Sequence, residues 1–140
     1  METSINYLAI IVCGVIAMVV GSVWYGPLFG KTWMRIVGVS EMDESRRKEM
    51  QKKAMPQYII QFVLVLFQVL VLSHLINDTQ SVTGLSRSLW IWAGFVMPTI
   101  AGCAMWTNDS SKIMRSRFMI QAGYQLSMFI IFGIILMNWN

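Results

Sequence analysis

Uncharged polar side chains inside apolar stretches are the residues of this sequence best suited to bind a ligand. The candidates are four of the glutamines and two of the tyrosines: Gln61, Gln68, Gln121, Gln125, Tyr25 and Tyr124. Amides and phenols donate and accept hydrogen bonds. If the helices that carry them bring them together, they line a candidate polar pocket. The alternative is that they join neighbouring helices, with hydrogen bonds of about 0.6 kcal/mol each.

Groups for catalysis are scarce. The sequence has one histidine, His74, and two cysteines, Cys13 and Cys103. The serines of the apolar stretches have no acid–histidine partner that would activate a nucleophile, and two lone thiols do not make a zinc site. No glycine-rich phosphate loop follows a strand, and the aromatic residues lie in apolar stretches. We therefore expect no enzyme activity, metal, cofactor or nucleic-acid binding, and we expect His74 to cap a helix end or contact lipid headgroups.

Four apolar stretches must position the polar residues. Of the 140 residues, 56% are hydrophobic and 13% are charged. Each stretch has about 20 residues, and a helix of that length crosses a hydrocarbon core of roughly 30 Å. The sequence predicts an all-α, multi-pass integral membrane protein with a single domain over 1–140, in a plasma, inner or organelle membrane. Its transmembrane helices are expected at about 7–26, 56–76, 88–106 and 118–137.

Lysine and arginine are distributed unevenly among the connections. Seven of the eleven lie between the first two predicted helices, three between the last two, and one, Arg87, between the second and third. Because positive charge is retained on the cytoplasmic side, the first and third connections are predicted to face the cytoplasm and both termini the outside. The cytoplasmic loop, 27–55, is rich in helix formers after Ser40. We expect a short charged helix at about 41–54, with Pro56 in the first turn of the next helix.

A distinctive stretch ends the first predicted helix. It reads Trp24-Tyr25-Gly26-Pro27-Leu28-Phe29-Gly30-Lys31-Thr32-Trp33-Met34. Tryptophan and tyrosine favour the level of the lipid headgroups, and Pro27 cannot continue a helix without losing a backbone hydrogen bond. We expect the helix to end here and a short segment over 31–37 to lie in the membrane interface, with a binding role as the open alternative. The signature turn is defined as Trp24, Tyr25, Gly26, Pro27, Phe29, Gly30 and Lys31.

Small residues recur every four positions in two of the predicted helices. They are Cys13, Ala17 and Gly21 in the first helix, and Gly94, Pro98 and Gly102 in the third. Small side chains let helix backbones approach closely in a membrane, so both stripes are predicted to be helix-packing faces. Pro98 also leaves the carbonyl of Gly94 without its usual partner, which predicts a kink.

Three blocks of the sequence together resemble a known family. They are the whole run over 24–34, Gly94-Phe95-Val96-Met97-Pro98 and Gln121-Ala122-Gly123-Tyr124. Over nearly the whole chain, the sequence is similar to the small integral membrane proteins of the family called domain of unknown function 1761. The resemblance implies a four-helix membrane protein of a type found in bacteria and fungi, without a catalytic assignment. The chain departs from the family pattern at Gln121, where many members have asparagine, and at 106–109, where the family is more basic.

Two functions agree with these expectations. One is a non-catalytic membrane subunit or scaffold that packs through its small-residue faces. Its partners would be membrane lipids and either a second copy, forming a homo-oligomer, or another membrane protein. The alternative is a homo-oligomeric carrier or channel for a small solute or lipid, with the polar pocket near the cytoplasmic side. The first predicted helix has no acidic residue that would couple transport to protons, so the subunit is favoured.

Overall fold

Helices dominate the computed structural model, which describes residues 4–77 and 83–139. No strand occurs in those two ranges, so the predicted all-α class is confirmed there. The helices are α1 (Tyr7–Val23), α2 (Gly30–Ile36), α3 (Glu44–Asn77), α4 (Gly84–Ile91), α5 (Met97–Met105) and α6 (Ser111–Trp139). Two π-helical turns, Trp24–Leu28 and Trp92–Val96, follow α1 and α4 directly.

In the described ranges, four segments are long and apolar enough to cross a membrane. They are Tyr7–Leu28, Glu44–Asn77, Gly84–Met105 and Ser111–Trp139. Each contains most or all of one predicted stretch. In length and composition, the prediction of four such helices is therefore confirmed.

Pro27 widens the end of α1 rather than stopping it. Proline has no N–H for the carbonyl four residues back, and the amide of Phe29 instead donates to the carbonyl of Trp24, five residues back, at 2.9 Å. The helix therefore runs on to Leu28, two residues past the predicted end. α2 begins at Gly30, where a Cβ would lie 2.9 Å from the carbonyl oxygen of Tyr25. Only glycine lets the chain turn this closely.

A π-helical turn also precedes Pro98. The amide of Met97 donates to the carbonyl of Trp92, five residues back. The hydroxyl of Thr99 donates a hydrogen bond to the carbonyl oxygen of Phe95 at 2.5 Å. This backbone carbonyl, three residues before Pro98, therefore has a side-chain partner. The helix interruption expected around Pro98 thus takes the form of a wider turn between α4 and α5.

The charged residues after Asp43 do not form a separate helix. α3 is continuous over 34 residues, Glu44–Asn77, with Pro56 inside it. This corrects both the short helix expected at about 41–54 and the helix start expected at Pro56. The proline removes the bond to the carbonyl of Lys52, which lies in an exposed part of α3 where water can solvate it. At 1.5 Å per residue, α3 extends beyond a hydrocarbon core by about 20 Å.

α6 is the central helix of the bundle. It packs against α1, α3, α4 and α5. Its buried side chains share one hydrophobic core with α1 and α3, and the members of this core include Met128, Phe132, Leu136, Val69 and Leu72. Many large apolar side chains of the helices lie exposed on the outside of the bundle.

α4 and α6 approach each other at a glycine. A Cβ at Gly133 would lie 2.9 Å from Ser88 Oγ and 3.1 Å from the Cα of Leu85. Ser88 is fully buried, and its hydroxyl donates to the carbonyl of Phe129. The absence of a side chain at Gly133 and the hydrogen bond of the Ser88 hydroxyl therefore allow α4 and α6 to pack closely.

The beginning of α1 and the end of α6 lie at the same end of the bundle. Asn6 Nδ2 donates to the carbonyl oxygen of Trp139 at 2.6 Å, and Asn6 Oδ1 accepts from the amide of Ala9 at 3.2 Å. Arg87 donates to the carbonyl of Leu75 at 2.6 Å near the end of α3. We call this end of the bundle the Asn6 end and the opposite one the Trp24 end.

Candidate functional site

The signature turn is fastened to α6 through Trp24. Its indole N–H donates to the carbonyl oxygen of Ile120 at 3.0 Å. The ring also lies against Gly123, where a Cβ would be 3.1 Å from Trp24 Cζ2. Trp24 is the first residue of the π-helical turn, so the wider turn sets the direction of this side chain. The end of α1 is therefore held against the first half of α6.

Tyr124 makes the reciprocal contact from α6 to α1. Its hydroxyl donates to the carbonyl oxygen of Ala17 at 2.8 Å. A Cβ at Gly21 would lie 3.1 Å from the same hydroxyl oxygen. The predicted small-residue position Gly21 thus makes room for a tyrosine ring, rather than for a helix backbone.

Further aromatic rings extend this contact to α2. The ring of Tyr25 lies edge-on to Tyr124, with centroids 5.5 Å apart, and edge-on to Trp33 at 5.0 Å. Trp24 and Phe29 have centroids 4.9 Å apart. We call Trp24, Tyr25, Phe29, Trp33 and Tyr124 the aromatic cluster. Edge-to-face pairs at these distances contribute about 0.5–1.5 kcal/mol beyond their burial, so the cluster orients α2 against the bundle.

The other members of the signature turn differ in exposure. Gly26, Pro27 and Lys31 are exposed, whereas Gly30 is buried under the chain. A Cβ at Gly26 would have nothing within 4 Å. The turn therefore presents one face to α6 and leaves the other open.

The six predicted pocket residues fall into two groups. Tyr25 and Tyr124 contact each other inside the aromatic cluster. The glutamines lie elsewhere: Gln61 is exposed on α3, and Gln68, Gln121 and Gln125 are partly exposed. None of the four amide side chains forms a hydrogen bond with another described residue.

The two small-residue stripes also have different surroundings. Cys13 and Ala17 are buried in the core, at 0% and 1% exposure. Gly94 and Gly102 would each carry a Cβ with nothing within 4 Å, and Pro98 is exposed. The first stripe packs within the chain, and the second lies on the outer surface of the described bundle.

One family matches the chain over almost its full length. The model of the family described as "Protein of unknown function (DUF1761)" matches residues 8–137. The chain belongs to this family. The match confirms the resemblance found in the sequence, and it spans the aromatic cluster and all four glutamines. No curated protein and no solved structure matches the chain.

This DUF1761 chain uses a second tryptophan that sequence reasoning missed. Trp92 begins the other π-helical turn, and its indole N–H donates to the carbonyl of Ala122 at 3.3 Å. Trp24 reaches Ile120, two residues earlier on α6. The sequence did contain a signal for this role of Trp92. A tryptophan is followed two positions later by a glycine both at 24–26 and at 92–94.

A groove at the Trp24 end also escaped the sequence reading of this DUF1761 protein. It has a volume of about 760 Å³ and lies between Phe29, Thr32 and the first turns of α6. Lys112, Arg115 and Ser116 are among the α6 residues that line it. In the sequence the two cations indicate only orientation. Their spacing of three residues, which places them on one face of α6, was the available signal for a basic groove.

No group of three His, Cys, Asp or Glu side chains that could hold a metal ion occurs in residues 4–77 and 83–139. Cys13 is a buried free thiol and Cys103 an exposed one. His74 Nδ1 lies 2.9 Å from the carbonyl oxygen of Leu70, within its own helix.

Proposed function

We propose that this DUF1761 protein is a multi-pass integral membrane protein that acts as a non-catalytic subunit. In this proposal a transmembrane helix of a partner packs into the Trp24 half of the bundle, against the amides of α3 and α6. The partner is a second copy of the chain or another membrane protein. Four apolar helical segments support the membrane location.

The proposal rests on the position of the glutamines along α3. Gln61, Val65, Gln68 and Leu72 follow one another at intervals of four, three and four, so they share one face of α3. Val65 and Leu72 are buried in the core. The same face is exposed at Gln61, which lies toward the Trp24 end. The core-facing side of α3 is thus uncovered and polar at Gln61, and it is buried at Val65 and Leu72, with the partly exposed Gln68 between them.

α6 repeats this arrangement. Gln121, Gln125, Met128 and Phe132 share a face by the same spacing. Met128 and Phe132 are buried at 2% and 1%, whereas both glutamines are partly exposed. α3 and α6 contact each other and share the hydrophobic core. Both helices therefore carry unpaired amides on faces that are buried further along.

Unpaired amides in a hydrocarbon environment favour a partner. An amide without a hydrogen bond costs several kcal/mol in an apolar medium, and these four side chains have no hydrogen-bond partner among residues 4–77 and 83–139. A polar group on a neighbouring helix satisfies them. The open stripe of Gly94, Pro98 and Gly102 offers a second surface for close packing, which agrees with a subunit that has more than one neighbour.

A carrier or channel is the second candidate function. The observation that favours it is the presence of amides at matching positions of two contacting helices, α3 and α6. Water or a small solute between these helices would satisfy the same amides. The two candidates therefore differ in what occupies the space beside Gln61 and Gln125: a protein helix or water.

Cysteine accessibility separates the two candidates. In a Cys103→Ser background, Gln61→Cys and Gln125→Cys are each exposed to a water-soluble maleimide in open membrane fragments, and again after purification in detergent. Ser45→Cys, at the exposed start of α3, is the control and should react in both preparations. For the subunit we expect slow labelling in membranes and faster labelling once detergent has separated the partner.

Fast labelling in membranes that detergent does not change would overturn the subunit in favour of the carrier. Absence of labelling in both preparations, with a reactive Ser45→Cys control, would contradict both candidates, because the space would then be closed within a single chain. Crosslinking through Gln61→Cys gives a second readout. A disulfide-linked dimer would identify the partner as another copy.

A further inference from the structure

The groove between α2 and α6 combines a basic rim with an apolar floor. Its volume of about 760 Å³ is lined by Phe29 and Thr32 on one side and by the first turns of α6 on the other. We infer that it binds an anionic phospholipid. In this inference the phosphate lies at Lys112 and Arg115, and an acyl chain lies along the apolar floor.

The charges of the rim are unbalanced. Lys112 and Arg115 are three residues apart on α6, so they are neighbours on one face of the helix. The only ion pair among the described residues joins Arg117 to Asp109 at 2.8 Å, and it leaves these two cations unpaired. None of the residues that line the groove is acidic. Two adjacent cations repel each other, and an anion between them replaces that repulsion with attraction.

Hydroxyl groups complete the polar rim. Thr32 of α2 and Ser116 of α6 line the same groove. A phosphate has several acceptor oxygens, and two hydroxyls, an ammonium and a guanidinium are all donors. Thr32 and both cations are exposed, so a headgroup can reach them from outside the bundle.

The apolar part of the groove lies further along α6. Phe118 and Met119 follow the rim, and Met119 comes seven residues after Lys112, which is about 10 Å along the helix axis. Met119 is 68% exposed, so the floor is open to the surroundings. A phospholipid has this order of chemistry, with an anionic head at the interface and an acyl chain toward the hydrocarbon core. A free phosphate would use only the rim.

A second groove borders the first at Arg115 and Phe118. It has a volume of about 280 Å³ and is lined by Ala104 and Met105 of α5, together with Arg115 and Phe118. Arg115 and Phe118 therefore line both grooves. One headgroup at Arg115 can place one acyl chain in each groove. This arrangement assigns the site to a lipid with two chains.

Lipid titration of the purified, delipidated protein in detergent tests the inference. Phosphatidylglycerol and phosphatidylcholine with identical acyl chains are compared by calorimetry and by the midpoint of thermal unfolding. We expect phosphatidylglycerol to bind and to raise the midpoint more than phosphatidylcholine does. Each cation near a lipid phosphate accounts for about fivefold in affinity. Lys112→Gln and Arg115→Gln should each weaken binding by about that factor, and the double variant by about 30-fold.

A matched control removes the same charge elsewhere. Lys52→Gln with Lys53→Gln lies in the exposed first part of α3, away from the groove, and should leave binding unchanged. Equal losses in the control would overturn the inference, since binding would then follow net charge alone. Equal stabilisation by inorganic phosphate would also overturn it, as would equal binding of phosphatidylcholine. Lysophosphatidylglycerol, which has one chain, should bind more weakly than the two-chain lipid, and equal binding would contradict the placement in two grooves.

Discussion

The indole N–H of Trp24 donates to the backbone carbonyl of Ile120, at 3.0 Å and across 96 positions of sequence. A backbone carbonyl inside an α-helix already accepts one amide hydrogen bond, so the indole uses its second lone pair. This bond joins the end of α1 to α6 without a polar side chain on α6. It places the signature turn where its other rings can reach Tyr124 and α2.

Two substitutions of Trp24 should distinguish the stability contributed by its hydrogen bond from the stability contributed by its ring contacts. Trp24→Phe removes the indole N–H and should lower the free energy of unfolding by about 0.6 kcal/mol, the average for such bonds in membrane proteins. Trp24→Ala also removes the ring contacts and should cost about 3 kcal/mol. Denaturant titration in micelles measures both. Trp106→Phe is the control, because Trp106 is 89% exposed and should change little. Equal losses at Trp24 and Trp106 would contradict this role.

Gly21 and Tyr124 should be energetically coupled. Gly21→Ala places a methyl 3.1 Å from the Tyr124 hydroxyl and disturbs its bond to Ala17. In a Tyr124→Phe background that hydroxyl is absent, and alanine should then stabilise the helix by up to about 1 kcal/mol over glycine. A double-mutant cycle in the free energy of unfolding should give a coupling of about 0.5–3 kcal/mol. Additive effects would show that the ring does not need the glycine.

The sequence predicted the four apolar helices because hydrophobic length can be counted directly. It predicted their limits less well, since Pro56 lies in an exposed part of α3, where the carbonyl that the proline leaves free is accessible to solvent, and α3 continues through it. Proline alone therefore did not mark a helix end. At this exposed position, solvent can replace the hydrogen-bond partner that the proline removes, so the helix can continue.

The site was harder to predict, because its main partners are backbone atoms. Tyr25 and Tyr124 were grouped with the glutamines by polarity, yet the hydroxyl of Tyr124 bonds to the carbonyl of Ala17. The indole of Trp92 likewise bonds to a carbonyl, that of Ala122. Every residue has a carbonyl, so no side-chain pattern identifies which one is used. That choice follows from how the helices pack.

Substitution by alanine should change stability in opposite directions at Gly133 and at Gly102. Gly133→Ala places a Cβ 2.9 Å from Ser88 Oγ and should destabilise the fold by about 1–3 kcal/mol. A Cβ at Gly102 meets nothing within 4 Å, so Gly102→Ala should stabilise α5 by up to about 1 kcal/mol. Thermal unfolding in detergent compares the two. If Gly102→Ala instead weakens a complex isolated from membranes, then the stripe around Pro98 is a partner face.

Pro56→Ala should stabilise α3 without changing the fold. Proline inside a helix costs about 3 kcal/mol relative to alanine, and less where water solvates the free carbonyl. The substitution restores an amide that can donate to Lys52 within the same helix. We expect a gain of about 1–2 kcal/mol in the free energy of unfolding, with an unchanged helical signal by circular dichroism. A loss of stability would indicate that the helix needs a bend at this position.

Both ends of the chain should lie on the same side of the membrane. Four crossings by the candidate helices would place both ends there, and the hydrogen bond of 2.6 Å from Asn6 to Trp139 joins the start of α1 to the end of α6. The distribution of lysine and arginine further predicts that this side is the outside. Reporter fusions at each terminus, together with cysteine labelling at Ser45→Cys in sealed cells, measure both statements. The two reporters should agree, and Ser45→Cys should be protected from an impermeant reagent until the cells are opened. Opposite signals from the two termini would show that one of the four helices does not cross the membrane. Agreeing termini with a freely labelled Ser45→Cys would keep the bundle but invert it, which would place the groove at Lys112 and Arg115 on the outer face.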